Sequence, residues 1–465
     1  MVLRHRLTRP RVVEAVIICA TVGVVWGLVT RTLEFGSAAG GWVYPTFRGA
    51  TPEAVLFAAL FALGLPLAYA WSARRADSLA PAVVAMWMIL GGCFQAAVHF
   101  LYPIPMGRIV ANPHCNSFYS ASLEHSPLEV LTKYEAVAPS LPLHAQANMP
   151  GKLFIYYFLE WFSRDPQTLA IGIVGLSTLC GALVFAVARR LFRSGRLATL
   201  AMALSLVFPA VVAFQPLLNT VTPLFVLLSF WLWVVYLDRQ QDRFLWLLGG
   251  SLYLQLFIDP LTFVLGIVFL GVLAERLARG QFALAKLWRC AVIPVAGFIG
   301  VHAVMRMTAG FDIVSAFVSL WDAAVRFNQT ESRPYAVWVG QNLKEFFLGA
   351  GVASSLAALL AVYLGGRSIV RGERRDGPGG GLRRFPGAPG WAFTASLFLS
   401  VLVVDLTGVN RGEVTRLWIF LGTFLQVASA EALVAYCDDM TARIAIGAIV
   451  IQTTLTASMV GFIRC

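Results

Sequence analysis

The stretch VVEAVIICATVGVVWGLVT, residues 12–30, decides the fold. It holds a single charged residue, Glu14, and as a helix it is long enough to cross a hydrocarbon core of about 30 Å. The basic residues before it (Arg4, Arg6, Arg9, Arg11) give it the outline of a signal peptide. Its apolar run is longer than a signal core, however, and the TRTLEFGSAAGG that follows sets Arg31 and Glu34 where the small residues of a cleavage site belong. The stretch therefore reads as a retained first membrane span.

Working outward, the same kind of run recurs to the end of the chain, at 54–72, 79–101, 168–188, 197–214, 221–237, 244–258, 261–276, 291–307, 346–365, 391–408, 417–437 and 442–462. With the first this makes thirteen spans; the two that meet at Asp259-Pro260 are short, so a bundle of about 11–13 transmembrane helices is expected. The composition agrees: 58% of the 465 residues are hydrophobic and 13% charged, where soluble domains carry about twice that charge. The expected fold class is an all-α integral membrane protein, a single polytopic domain over 1–465. The net charge of +12 would suggest nucleic acid in a soluble domain. In a membrane chain, Lys and Arg instead gather in cytoplasmic loops and meet anionic lipid, so no nucleic-acid partner is expected. Most of the 36 Lys and Arg fall on one side if the N-terminus is cytoplasmic. The Ala, Val and Arg usage points to a bacterial inner membrane.

Loop lengths separate the two faces. The cytoplasmic connections are short and basic, apart from a Gly/Pro-rich, Arg-rich stretch at 367–390 that reads as a flexible loop. The extracytoplasmic face carries the long segments 31–53, 102–167 and 308–345, where chemistry is expected to sit. Within the last, Ile313, Phe317, Leu320, Trp321 and Ala324 recur at helical spacing, the pattern of an amphipathic helix on the outer leaflet. KLFIYYFLEWF (152–162) is too short to span and reads as a juxtamembrane helix with Tyr156, Tyr157 and Trp161 at the interface. The seven cysteines show no CxxC or Cys/His spacing, so neither a disulfide framework nor a structural zinc is expected.

Three groups of residues could carry chemistry. VNRGEVTRLW (409–418) sets Arg411, Glu413 and Arg416 between two oily runs, with Trp418 after them. Glu413 and Arg416, three apart, share a face on a helical turn. A local ion pair beside an aromatic-belt tryptophan would account for them; the alternative is an arginine held by a carboxylate to bind a lipid-linked phosphate, which its fork of donors matches. The 112–152 segment supplies Asn112, His114, Asn116, Tyr119, Glu124, His125, Glu129, His144, Asn148 and Lys152. Four of the chain's six histidines (His99, His114, His125, His144) lie in or just before it, a density suited to a hydroxyl-rich ligand such as a sugar. No pair has HExxH spacing, so no metal site is expected. Third, Glu34 follows the first span; it is either a solvated carboxylate or a general base. Asp259 and Asp405, at span ends, are lesser candidates because acids at membrane depth are costly.

On these residues the chain resembles the GT-C superfamily of polytopic glycosyltransferases, which includes protein O-mannosyltransferases, lipid A aminoarabinose transferases and mycobacterial arabinosyl- and mannosyltransferases. An acid, Glu34, closely follows span one; HAQANMPGKLFIYYFLEW (144–161) is similar to the family's Pro-containing outer motif before an aromatic helix; and RGEVTRLWIFL (411–421) is similar to a G-E-x-x-R-x-W segment of bacterial members. The chain departs from the pattern at Glu34, where many members carry Asp within an acid pair, and at Asn148 and Met149, where His and Pro are common.

The resemblance implies a GT-C-like bundle with extracytoplasmic juxtamembrane helices, and transfer of a sugar from a polyprenyl-phosphate donor to a hydroxyl of a glycan, lipid or protein acceptor. By the same resemblance Glu34 is the catalytic base. Arg411, Arg416 and Lys152 are on the donor phosphate, with Glu413, His144, Asn148, Asn116, Tyr119 and Asp259 supporting or binding substrate. No cofactor is assigned, and a divalent cation is left open. The competing class is a polytopic transporter or a lipid-linked glycan flippase or ligase. Transporters place ionisable groups near the bilayer midplane, whereas here the polar inventory sits at one face.

Overall fold

In a computed structural model of the chain, which describes residues 10–331, 333–370 and 390–463, the protein is all-α. Its one sheet among the described residues is a two-stranded hairpin pairing Gly36–Ser37 with Trp42–Val43. Nine helices among the described residues are long and apolar enough to cross a membrane, from Arg11–Val29 to Asp439–Met459. Three shorter apolar helices (Gly195–Val207, Arg243–Ile258, Trp391–Leu406) and one bent pair fall on the remaining apolar runs of the sequence. The chain is thus a polytopic helical membrane protein. Most of the 367–390 stretch read as a flexible loop, residues 371–389, lies outside the described residues.

Local sequence sets the helix ends. Asp165 caps Pro166–Phe192 by accepting from Thr168 N, Ser194 caps Gly195–Val207, Asp312 caps Ile313–Thr330 and Asp438 caps Asp439–Met459. A buried core of Leu, Val, Ala and Phe runs through the bundle. Ile419–Tyr436 lies at its centre, with nearly every side chain buried, while Leu287–Ala309 stands at the periphery, packed mainly on Arg243–Ile258.

The run at 346–365 is not one straight span. Tyr335–Ala350 and Val352–Val370 meet at 108°, and the break falls at Gly351, whose φ of 92° suits glycine. With Val352–Val370 upright, the first helix lies along the membrane face. The backbone groups freed by the break are taken by two glutamines. Gln426 Nε2 donates to Ala350 O, Gln452 Nε2 donates to Leu348 O, and Gln452 Oε1 accepts from Val352 N, each at 2.9 Å. Both glutamines are fully buried, so their amides stand in for the backbone partners lost at the break.

The long segments are folded rather than open. Residues 106–160 form six short α-helices and one 3-10 turn around a second core that includes Val130, Met149, Tyr156 and Ile173. Gly151–Glu160 is the expected helix, but Tyr156 and Tyr157 are buried inside this core; Phe158, Trp161 and Phe162 are the exposed aromatics. Ile313–Thr330 forms as expected. Its Ile313, Ala316 and Asn328 face inward, while Val314, Val318, Trp321 and Val325 make an exposed apolar stripe. One expectation fails outright: Cys115 is disulfide-bonded. Spacing could not reveal this, because a disulfide needs proximity in space and not in sequence.

Candidate functional site

The turn joining Trp391–Leu406 to Ile419–Tyr436 reverses sharply, with positive φ at Gly408 (61°), Gly412 (86°) and Glu413 (60°). Such a turn needs external support, and the 328–342 region supplies it. Asn328 Nδ2 donates to Val409 O at 2.8 Å, Arg333 Nη1 donates to Arg411 O at 2.8 Å, and Arg411 Nη1 donates back to Arg333 O at 2.9 Å. Buried Asn342 donates to Asp405 Oδ1 and Asn410 O and accepts from Gly412 N. Trp338, wholly buried, packs on Gly412 and donates its indole N–H to Gly40 O at 3.0 Å, tying the N-terminal hairpin to the same turn.

At the tip, Glu413 is gripped from both sides. Its Oε1 accepts from Arg333 Nη2 at 2.9 Å and its Oε2 from Arg416 Nη2 at 2.6 Å. Arg333 is buried between the rings of Trp42 and Phe327. Burial pushes the Glu413 carboxyl up, but the two guanidiniums outweigh it and hold the acid below its ordinary range. Arg416 keeps its Nε–H buried without a partner among the described residues, so a donor remains for something else. Trp418, expected at the lipid interface, is buried and donates to Asn410 Oδ1.

A second cation stands nearby. Lys152, 2% exposed, donates to Asn148 Oδ1 at 2.7 Å and to Asp259 Oδ2 at 3.2 Å. Asn148 Nδ2 in turn donates to His144 O, and His144 Nε2 lies 3.1 Å from His114 O. Burial, and next the charge of Arg416, lower the His144 pKa to about 4, so the ring is neutral at neutral pH. His144 lies within electrostatic reach of Arg416, Glu413 and Lys152 alike.

The structure thus brings together Arg416, Glu413, His144, Asn148, Lys152 and Asp259. Arg411 plays a different part, since its guanidinium donates to Gly408 O and Arg333 O and lies over Tyr335, bracing the turn. Asn116 is buried one layer behind, bonded to the Tyr156 hydroxyl and Val110 O, where it holds the Gly151–Glu160 helix. Tyr119 donates to Arg164 O, away from the cluster. Of the other three histidines in or just before the 112–152 segment, His99 turns to Ile104 O, His114 contributes only its carbonyl, and His125 Nδ1 lies 3.6 Å from Glu129 Oε2. Glu34 is exposed and makes no hydrogen bond or ion pair among the described residues; its charge is felt by Lys344, whose Nζ donates to Gly36 O at 2.8 Å.

Three members of the site escape a reading of the sequence. Arg333 is one. Glu345 is another: it is 0% exposed, its Oε2 accepts from Thr415 Oγ1 at 3.3 Å, and its Oε1 has no partner among the described residues. Burial raises its pKa to about 7. The third is Tyr44, buried near Glu345, Glu413 and Arg416, its phenol held well above the ordinary range chiefly by burial. The available signal was an acid and an amide, Asn342 and Glu345, at helical spacing beside a span. Among the described residues no three His, Cys, Asp or Glu side chains converge to hold a metal ion.

Chemically, two cations, each steadied by a carboxylate, flank a neutral imidazole at one end of a membrane bundle, an arrangement suited to an anion. Compared with known proteins, the chain matches no family model, no curated protein and no solved structure.

Proposed function

We propose that the protein is a membrane glycosyltransferase that moves a sugar from a polyprenyl-phosphate donor to an acceptor hydroxyl at the face bearing the long segments. The observation that carries this reading is that the Arg416–Glu413–Arg333 group and the Lys152–Asp259 pair both lie within electrostatic reach of His144. A phosphate on a lipid carrier arrives at the height of the membrane surface, where these cations sit. The basic excess on the short-loop side supports a cytoplasmic setting for that side and an extracytoplasmic one for the site, in keeping with a bacterial inner membrane.

In this reading Arg416 and Lys152 bind the donor phosphate and neutralise it as it leaves, while Glu413 and Asp259 orient them. His144 and Asn148 offer neutral hydrogen-bonding groups to the sugar. The bond from the anomeric carbon to the phosphate oxygen breaks as the bond to the acceptor oxygen forms. The acceptor proton passes to Glu34, an exposed carboxylate with no other bond among the described residues. Membrane lipids, the polyprenyl donor and a glycan, lipid or protein acceptor are the partners.

The test is purified protein in liposomes with radiolabelled polyprenyl-phosphate sugars and acceptor alcohols. Labelled glycoside from the native protein, and none from Arg416→Ala, supports the reading. Passage of the donor across the bilayer without any product would assign the protein to transport instead.

A further inference from the structure

Two buried carboxylates lie within electrostatic reach of one another, Glu345 and Glu413. They are not equivalent. Glu413 takes both neighbouring arginines, one on each oxygen, and so is fixed as the anion. Glu345 has no counter-ion among the described residues: Thr415 meets one of its oxygens, and the other is buried without a donor. Lys344, the next residue in the chain, directs its Nζ to Gly36 O; its charge favours the Glu345 anion but is outweighed by burial.

The described elements packed around Glu345 supply no other cation. The turn presents Thr415 and Glu413, and the N-terminal hairpin presents Tyr44. Asp405 of Trp391–Leu406 is held by Asn342, and Pro209–Ala213 carries no charge. Arg367 of Val352–Val370 and Glu431 of Ile419–Tyr436 sit toward the far ends of their helices. Two buried acids within electrostatic reach of each other cannot both ionise cheaply, and the proton goes to the one without an arginine.

We propose that Glu345 is a proton-binding positioning residue of the site, neutral while a phosphate anion occupies Arg416, so that anion binding and proton uptake are coupled. This rests on the phosphate reading of the preceding section. Glu345 bonds to Thr415, the residue before Arg416, so an anion against Arg416 adds negative charge near Glu345 and favours its neutral form. By reciprocity, a proton on Glu345 strengthens anion binding by the same factor. The coupling also serves the transfer itself. The donor phosphodiester carries one charge and the departing phosphomonoester up to two, so a neutral Glu345 lets charge grow at Arg416 without a second buried anion.

The experiment measures binding of a prenyl methyl phosphodiester, whose single charge is constant, between about pH 5.5 and 8.5 in detergent. Native protein should lose affinity as pH rises past 7, approaching about tenfold per pH unit, the slope for one linked proton. His144 stays neutral across this range, since its pKa lies at about 4. Glu345→Gln, a near-isosteric neutral variant, should bind with little pH dependence. Infrared spectra of the ligand-free protein near pH 6 should show a protonated-carboxyl band that Glu345→Gln lacks. Absence of that band, or an unchanged pH profile in Glu345→Gln, overturns the coupling alone. No phosphodiester binding at any pH overturns the phosphate reading of the site and the coupling with it.

Discussion

Arg416 donates to Glu413 at 2.6 Å, and Arg333 holds the other oxygen of the same carboxylate at 2.9 Å. One acid therefore steadies two cations, of which Arg333 is 4% exposed in its side chain and Arg416 18%. Deleting the acid and deleting one cation should have different consequences. Glu413→Ala leaves two largely buried guanidiniums uncompensated and should cost about 3–5 kcal/mol. Arg416→Ala leaves the Glu413–Arg333 pair whole and should cost much less, while removing phosphate binding. Thermal unfolding in detergent, run beside a binding assay, checks this; equal destabilisation by the two variants would refute the arrangement.

The Lys152–Asp259 pair gives a second, independent test. Lys152 is buried and has only Asp259 and Asn148 as side-chain partners among the described residues, so Asp259→Leu strands a charge and should cost about 3 kcal/mol or more. Lys152→Met together with Asp259→Leu removes both charges and should regain most of that stability, because a buried ion pair is often replaceable by apolar side chains. Transfer activity should not return. A double-mutant cycle on unfolding free energies measures the coupling, and an additive cycle would show that the two do not interact.

Gly412 is where the turn can be moved without touching a charge. Its φ is 86°, and a Cβ there would lie 2.8 Å from the Trp338 ring. Gly412→Ala should therefore cost about 2–4 kcal/mol through backbone strain and overpacking, and it should lower transfer by displacing Glu413 and Arg416. Trp338 fluorescence reports the shift; an unaltered emission spectrum with native activity would count against this packing.

Glu34 makes the opposite case. It is exposed and makes no hydrogen bond or ion pair among the described residues, so Glu34→Gln should change stability by no more than about 0.5 kcal/mol. If it takes the acceptor proton, the same variant should lose transfer at least a hundredfold while donor binding persists. Native turnover in that variant would remove Glu34 from the mechanism.

The spans were legible because a membrane enforces long apolar runs, and local composition reports them directly. The site was legible in part. Arg416, Glu413, His144, Lys152 and Asp259 could be singled out as polar groups in an oily chain, but not which of them meet. That depends on the bend at Gly351, which lays Tyr335–Ala350 across the membrane face and carries Glu345 inward. Read as a straight span beginning at 346, the sequence leaves Glu345 at a loop edge. Arg411 shows the reverse error: a guanidinium beside a candidate site was assigned to phosphate, and its donors go to Gly408 O and Arg333 O.

Stability should carry the imprint of two groups that titrate against each other. His144 has a pKa lowered to about 4 from an ordinary 6.5, so between these values the unfolded chain binds a proton that the folded one refuses, and stability falls as pH drops through that window. Glu345 is raised to about 7 from 4.5; there the folded chain keeps the proton, and stability falls as pH climbs through its window. Where the windows overlap the two slopes oppose, and the native protein should show a muted dependence. Each single variant uncovers the other group. On going from pH 4.5 to 6.5, His144→Gln should lose melting temperature relative to Glu345→Gln. Other titrating groups act alike in both variants, so the difference between the two profiles isolates the pair. Parallel profiles in the two variants would mean that at least one of these side chains is not buried as described.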